Sequence, residues 1–245
     1  MKKENRPPKS TPAAHWKTLF PPVFWRLLLV LAALAALALL LVLLFRRDLL
    51  ARMYLFWNLL LAGLPVLFSS LALWRRYAAG RWGPGATLFS LLWLAFFPNA
   101  PYMLTDLVHL RLYSFSPQDD PYSYTFTAQP EVWVGFLHIV LPVAAGCTLG
   151  FLSLYLMHTL VRRQLGQPAG WLFCLAACLL GGFGIYLGRC LRFNSWDLLR
   201  RPTGLLSALL QQFSVAALLT CLLFSLMTLA LYLLFYTCYH RKTLC

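Results

Sequence analysis

Three long stretches of this chain, residues 27–45, 53–74 and 132–161, carry no Asp, Glu, Lys or Arg. About 20 apolar residues wound as a helix cross a hydrocarbon core of about 30 Å. Lipid accepts such a segment only when all its backbone hydrogen bonds are internal. These runs dictate an all-α, polytopic transmembrane helix bundle. Composition agrees, with 60% of residues hydrophobic and 11% charged, where a soluble domain carries about 25% charged residues. The net charge of +14 invites a nucleic-acid reading. It is excluded by the distribution of the arginines: Arg46/Arg47, Arg75/Arg76, Arg162/Arg163 and Arg200/Arg201 fall in short clusters between apolar runs, where membrane topology requires them.

About six spans are predicted, near 27–45, 53–74, 84–104, 132–156, 170–188 and 214–236. They form a single transmembrane domain over 26–240, between a disordered basic N-terminal tail (1–25) and a short C-terminal tail (241–245). The first run is expected to be a retained helix rather than a signal peptide. It exceeds the usual apolar core of about 7–15 residues, and no A-x-A segment follows before Arg46. An even number of spans puts both termini on one side. The larger share of the 21 Lys and Arg residues lies on that side, so both termini are expected in the cytoplasm. The longest connection, between spans three and four, is then extracytoplasmic. It holds Asp106, Asp119, Asp120 and Glu131 out of seven acidic residues in the chain.

The third span is interrupted. In "LAFFPNAPYMLTDLVHL" (94–110), Pro98 and Pro101 each remove a backbone donor and push the preceding residue toward extended geometry. One helix is expected to end there and another to begin, with Pro101 in its first turn and Asn99 as its cap. Two placements stay open. Either the break lies at membrane depth against a polar cavity, or the helix ends in a locally thin bilayer with the motif among headgroups. In the resumed segment, Tyr102, Thr105, Asp106, His109 and Tyr113 recur at spacings of three and four and form one polar stripe.

Span five ends "GGFGIYLGRCLRFNSWD" (181–197). Gly184 and Gly188, like Gly146 and Gly150 in span four, form a G-x-x-x-G that admits a close neighbour. Arg189 and Arg192, at i and i+3, are followed by Asn194, Trp196 and Asp197. Three readings compete. In the first, the arginines snorkel in an interfacial belt. In the second, one of them forms a structural salt bridge with Asp106. In the third, a ligand site combines Arg189, Arg192, Asn194, Trp196, Asp197, Asn99 and Tyr102, with Asp106 or His109 as candidate catalytic acid or base. Asn58 is expected to hydrogen-bond between helices. His138 and His158 are read as satisfied bundle histidines in preference to a proton relay. Asp106, His109, Asp119 and Asp120 offer oxygen and nitrogen donors, yet no metal-site motif, P-loop or G-x-S-x-G is present. No metal and no cofactor are expected. Cys147, Cys174, Cys178 and Cys221 act as small hydrophobes.

Taken together, "WNLLLAGLP", "WLAFFPNAPYMLTDLVHL" and "GFGIYLGRCLRFNSWD" resemble a family of predicted bacterial membrane proteins, domain of unknown function 1361, from about Arg52 to the last span. The resemblance implies a multi-pass protein of a bacterial cytoplasmic membrane and implies no reaction. Beyond the bilayer itself, the expected partner is an anionic small molecule or lipid headgroup, in a binding or transport-related role. The alternatives are a membrane enzyme acting on a lipid-linked substrate and an accessory structural subunit.

Overall fold

The computed structural model describes residues 20–45, 49–116, 126–193, 200, 203–204, 207–208, 211 and 214–244. Its long elements, in chain order, are α1 (Pro22–Phe45), α2 (Leu49–Ala78), α3 (Pro84–Phe96), the single turn α4 (Asn99–Tyr102) and a 3₁₀ helix (Met103–Leu112). These are followed by α5 (Pro130–Leu165), α6 (Gln167–Arg189) and α7 (Val215–Leu244). Among the described residues, six helical segments are long and apolar enough to cross a membrane, with α3, α4 and the 3₁₀ helix together forming the third. The protein is a multi-pass membrane protein with the expected number of spans. Of the expected tail, residues 1–19 lie outside the described residues, and α1 starts at Pro22.

Prolines open several helices. Pro84, Pro130 and Pro168 stand in first turns, where the missing N–H costs nothing. Between α5 and α6 only Gly166 intervenes. Its φ of +90°, disfavoured for residues with a Cβ, reverses the chain while its N–H still bonds the Arg162 carbonyl at 3.0 Å.

The central helix is α5, with 72% of its apolar stretch buried against 17% for α1. Around it pack α1, α2, α6 and the 3₁₀ helix, while α3 lies on α2 and α7 on α6. The glycine motifs have a definite occupant, which is the interrupted third span. On α5, Gly146 meets Met103 and Gly150 meets Ala100. On α6, a Cβ at Gly184 would stand 2.5 Å from Pro98, and one at Gly188 would stand 3.1 Å from Tyr102. Absent side chains thus let two helices hold "PNAPYM" between them, where lipid cannot reach its irregular backbone.

The break takes a form that differs from the sequence expectation. Phe97 (φ −53°, ψ −41°) stays helical and Ala100 lies inside α4, so neither residue before a proline swings to extended geometry, and Pro98 between them is helical as well (φ −59°, ψ −23°). The ladder shortens there: Ala100 N–H bonds Phe97 O at 3.1 Å, leaving Phe96 O without its usual i+4 donor. The Asn99 side-chain amide supplies that donor at 3.0 Å. Asn99 therefore seals the end of α3 rather than capping the next helix, and Pro98 occupies the N-cap position of α4. The resumed segment is likewise not an α-helix. Its ten residues form a 3₁₀ helix, longer than the usual run of about 3–4 residues, in which i and i+3 side chains eclipse.

At 1.5 Å per residue, α3 covers about 20 Å, less than the hydrocarbon core. Continuing through α4 and into the 3₁₀ helix at about 2.0 Å per residue puts Asp106 about 35 Å along the path from Pro84. The break thus comes about 20 Å along the third span, short of a full hydrocarbon core, and Asp106 comes after a path about as long as that core.

Candidate polar site at the broken span

Asp106 is only 1% exposed, and side chains from two other helices meet its carboxylate. Arg189, in the last turn of α6, donates from Nη2 to Oδ1 at 2.5 Å. Asn58, in the first half of α2, donates from Nδ2 to Oδ2 at 3.0 Å. A buried carboxylate needs such compensation, because an unpaired charge in this setting costs several kcal/mol. Both oxygens are engaged within the protein, which gives Asp106 a bracing role between α2, the 3₁₀ helix and α6.

The Arg189 guanidinium is fixed on further sides. Its Nε donates to Thr105 Oγ1 at 2.7 Å, and that hydroxyl donates onward to Tyr102 O at 2.6 Å. The guanidinium carbon lies 4.3 Å from the Tyr102 ring centroid, a cation–π contact. Gly188 permits this stack, since a Cβ there would press on the Tyr102 ring. Arg189 nevertheless remains 28% exposed.

His109 sits one 3₁₀ turn beyond Asp106 and is 30% exposed. Its Nδ1 lies 2.9 Å from the Asp106 backbone carbonyl and 3.9 Å from Oδ1 of the same residue. A carbonyl only accepts, so Nδ1 carries the hydrogen, and in the neutral ring Nε2 is the acceptor. The Tyr54 ring packs against the imidazole at 5.2 Å between centroids.

Of the residues singled out from sequence, Asp106, His109, Arg189 and Tyr102 come together. Asn58, expected only as an interhelical hydrogen bond, proves to be the second donor to Asp106. Arg192 does not join them: α6 ends at Arg189, and Arg192 lies beyond it, exposed and in the left-handed region at φ +58°. The two arginines therefore do not share a helix face. Asn99 belongs to the break, three residues past the end of α3, with its amide on Phe96 O and not on the carboxylate. Asn194, Trp196 and Asp197, like Asp119 and Asp120, lie outside the described residues. Thr105 and Tyr54 were missed as site residues. Thr105 was legible as a member of the polar stripe, whereas nothing in the sequence ties Tyr54 to His109.

Among the described residues no three His, Cys, Asp or Glu side chains converge as metal ligands. His158 is buried toward the other end of α5, with Nδ1 2.9 Å from the Tyr232 hydroxyl and its ring against Trp171 and Tyr236. His138 is buried beside the Phe56 ring.

Residues 57–231 match the family described as protein of unknown function (DUF1361), and the chain belongs to that family. The matched segment contains Asn58, Asp106, His109 and Arg189, and it leaves out α1. No curated protein and no solved structure matches the chain.

Proposed function

We propose that this member of the family is a binding or transport-related membrane protein whose polar site engages an anionic small molecule or lipid headgroup. The observation that carries the reading is the state of Arg189. Its position is set by Asp106, Thr105 and Tyr102, yet more than a quarter of its side chain is exposed. Asp106 neutralises one arginine only. The exposed part of the guanidinium still offers N–H donors to an anion. A guanidinium preorganised in this way loses little further freedom when it receives a carboxylate or phosphate. The positive-inside distribution supports cytoplasmic termini and an extracytoplasmic site in a bacterial cytoplasmic membrane.

The test is a ligand panel on the purified full chain in detergent micelles: dihexanoyl phosphatidic acid, phosphatidylglycerol, phosphatidylcholine and inorganic phosphate, read by melting temperature. At least one anionic probe is expected to stabilise the protein more than phosphatidylcholine does, with the shift reduced in Arg189→Lys, which keeps the charge and loses the planar fork. Equal, small shifts for every probe would remove the binding reading.

A structural reading has its own support, since both Asp106 oxygens are already bonded within the protein. On that reading the exchange Asp106→Arg with Arg189→Asp restores the level of folded protein, and the panel stays silent throughout.

A further inference from the structure

Resting on the anion-binding reading above, we infer that the ligand is a phosphate monoester and that His109 selects it, sharing one hydrogen with the phosphate through Nε2. The argument starts from which groups are spent. Asp106 has both oxygens occupied, and Arg189 has committed Nε and Nη2 to Thr105 and Asp106. What the cluster leaves uncommitted among its described contacts is the rest of a fixed guanidinium, 28% exposed, and the far edge of a 30% exposed imidazole whose near edge is held by a backbone carbonyl.

The two groups are neighbours, because His109 Nδ1 and Arg189 Nη2 both lie within 3.9 Å of the same Asp106 oxygen. Neutral His109 therefore adds an acceptor to a site otherwise composed of donors. A phosphodiester has no O–H and leaves that acceptor unmatched, and an ionised carboxylate does the same. A phosphate monoester, with a second pKa of about 6, carries one hydrogen that is readily exchanged near neutral pH. Hydrogen phosphate against neutral imidazole and the dianion against imidazolium hold the same total of protons, so either arrangement completes the contact.

Exposed apolar side chains neighbour the site residues in sequence, and one of them, Tyr54, packs on the His109 ring. Trp57, adjacent to Asn58, is 55% exposed, Val108, adjacent to His109, is 52% exposed, and Tyr54 is 37% exposed. An amphiphile arriving along the membrane would meet these side chains, whereas a soluble phosphate has no use for them. The phosphate chemistry is common to both sources, and the experiment separates them.

The full chain in micelles is titrated with dihexanoyl phosphatidic acid, a monoester, with dihexanoyl phosphatidylglycerol, a diester, and with inorganic phosphate. Wild-type protein is expected to bind the monoester lipid about tenfold or more tightly than the diester, the worth of one charge-assisted hydrogen bond. His109→Asn keeps an amide donor near the Nδ1 position and deletes Nε2. In that variant the monoester is expected to fall to the level of the diester, whose own affinity holds. Inorganic phosphate binding as tightly as phosphatidic acid assigns a soluble ligand, and weaker binding assigns a lipid. Either result upholds the monoester chemistry. Equal affinity of the two lipids in wild type overturns the inference while leaving an anion site in place, and it does so without any variant. Failure of all three probes overturns both.

Discussion

Removing Arg189 is expected to cost the protein more than removing the acid it pairs with, because the two partners are not equally buried. Asp106 is 1% exposed and Arg189 28% exposed. Arg189→Met keeps most of the stem but leaves a buried carboxylate with Asn58 as its remaining described donor. Breaking a buried pair in this sense costs about 3–5 kcal/mol. Asp106→Leu strands a guanidinium that still holds Thr105 and Tyr102 and has access to solvent. Its cost is that of the orphaned Asn58 amide and a partly hydrated cation, about 1–3 kcal/mol. The double variant removes both charges, and apolar replacement of a buried pair is often close to neutral. The single losses should therefore not add: they sum to about 4–8 kcal/mol while the double variant loses far less, a coupling of about 4 kcal/mol or more. The measurement is unfolding of the four proteins by sodium dodecyl sulfate in mixed micelles, followed by the fluorescence of the nine tryptophans. An Arg189→Met loss below about 1 kcal/mol, or losses that add within about 0.5 kcal/mol, would refute the pairing.

Other positions make sharp contrasts. Asn58→Leu should lose about 1.5–3 kcal/mol, the worth of a hydrogen bond to a charged acceptor, and Asn58→Asp should lose more by setting a second carboxylate beside Asp106; the same unfolding assay reads both. Gly184→Ala should destabilise by about 1–3 kcal/mol, because its Cβ lands 2.5–2.6 Å from the stiff Pro98 ring. Gly63→Ala, which meets nothing within 4 Å inside α2, should be neutral or stabilise by up to about 1 kcal/mol. Ser116→Cys, introduced after replacing exposed Cys190 and Cys238, should react with a membrane-impermeant maleimide added to intact cells. Labelling only after permeabilisation would invert the proposed orientation.

Spans are legible in sequence because the hydrocarbon core imposes one requirement everywhere, a run of about 20 apolar residues with internal backbone bonds. The position of the break was legible for a similar reason, since Pro98 and Pro101 lack donors wherever they occur. Its shape was not. Proline disfavours helical geometry in the preceding residue by a local clash, but Phe97 remains helical in the company of Gly181, Gly184, Gly146 and Gly150, which clamp the segment from both sides. The error over Arg192 has a comparable origin. A spacing of three places two side chains on one face only while the helix continues, and α6 ends before the second arginine.

Asn58 was beyond reach for a different reason. Helical periodicity orders residues around one axis and says nothing of which axes are neighbours. The glycine seats supply that information. By drawing the broken span against α5 and α6, they bring Asp106 to the end of α6, where Arg189 stands, and to the α2 flank that carries Asn58. The polar centre and the small-residue motifs are thus two parts of one arrangement. Irregular backbone in the third span is covered by the glycine faces of α5 and α6, and the charge that follows it is neutralised at Asp106. If that is right, Gly184→Ala should loosen the Asp106–Arg189 pair as well as the packing. In the Gly184→Ala background, Arg189→Met should then cost less than it does in wild type, and an unchanged cost would show that the seat and the ion pair are independent.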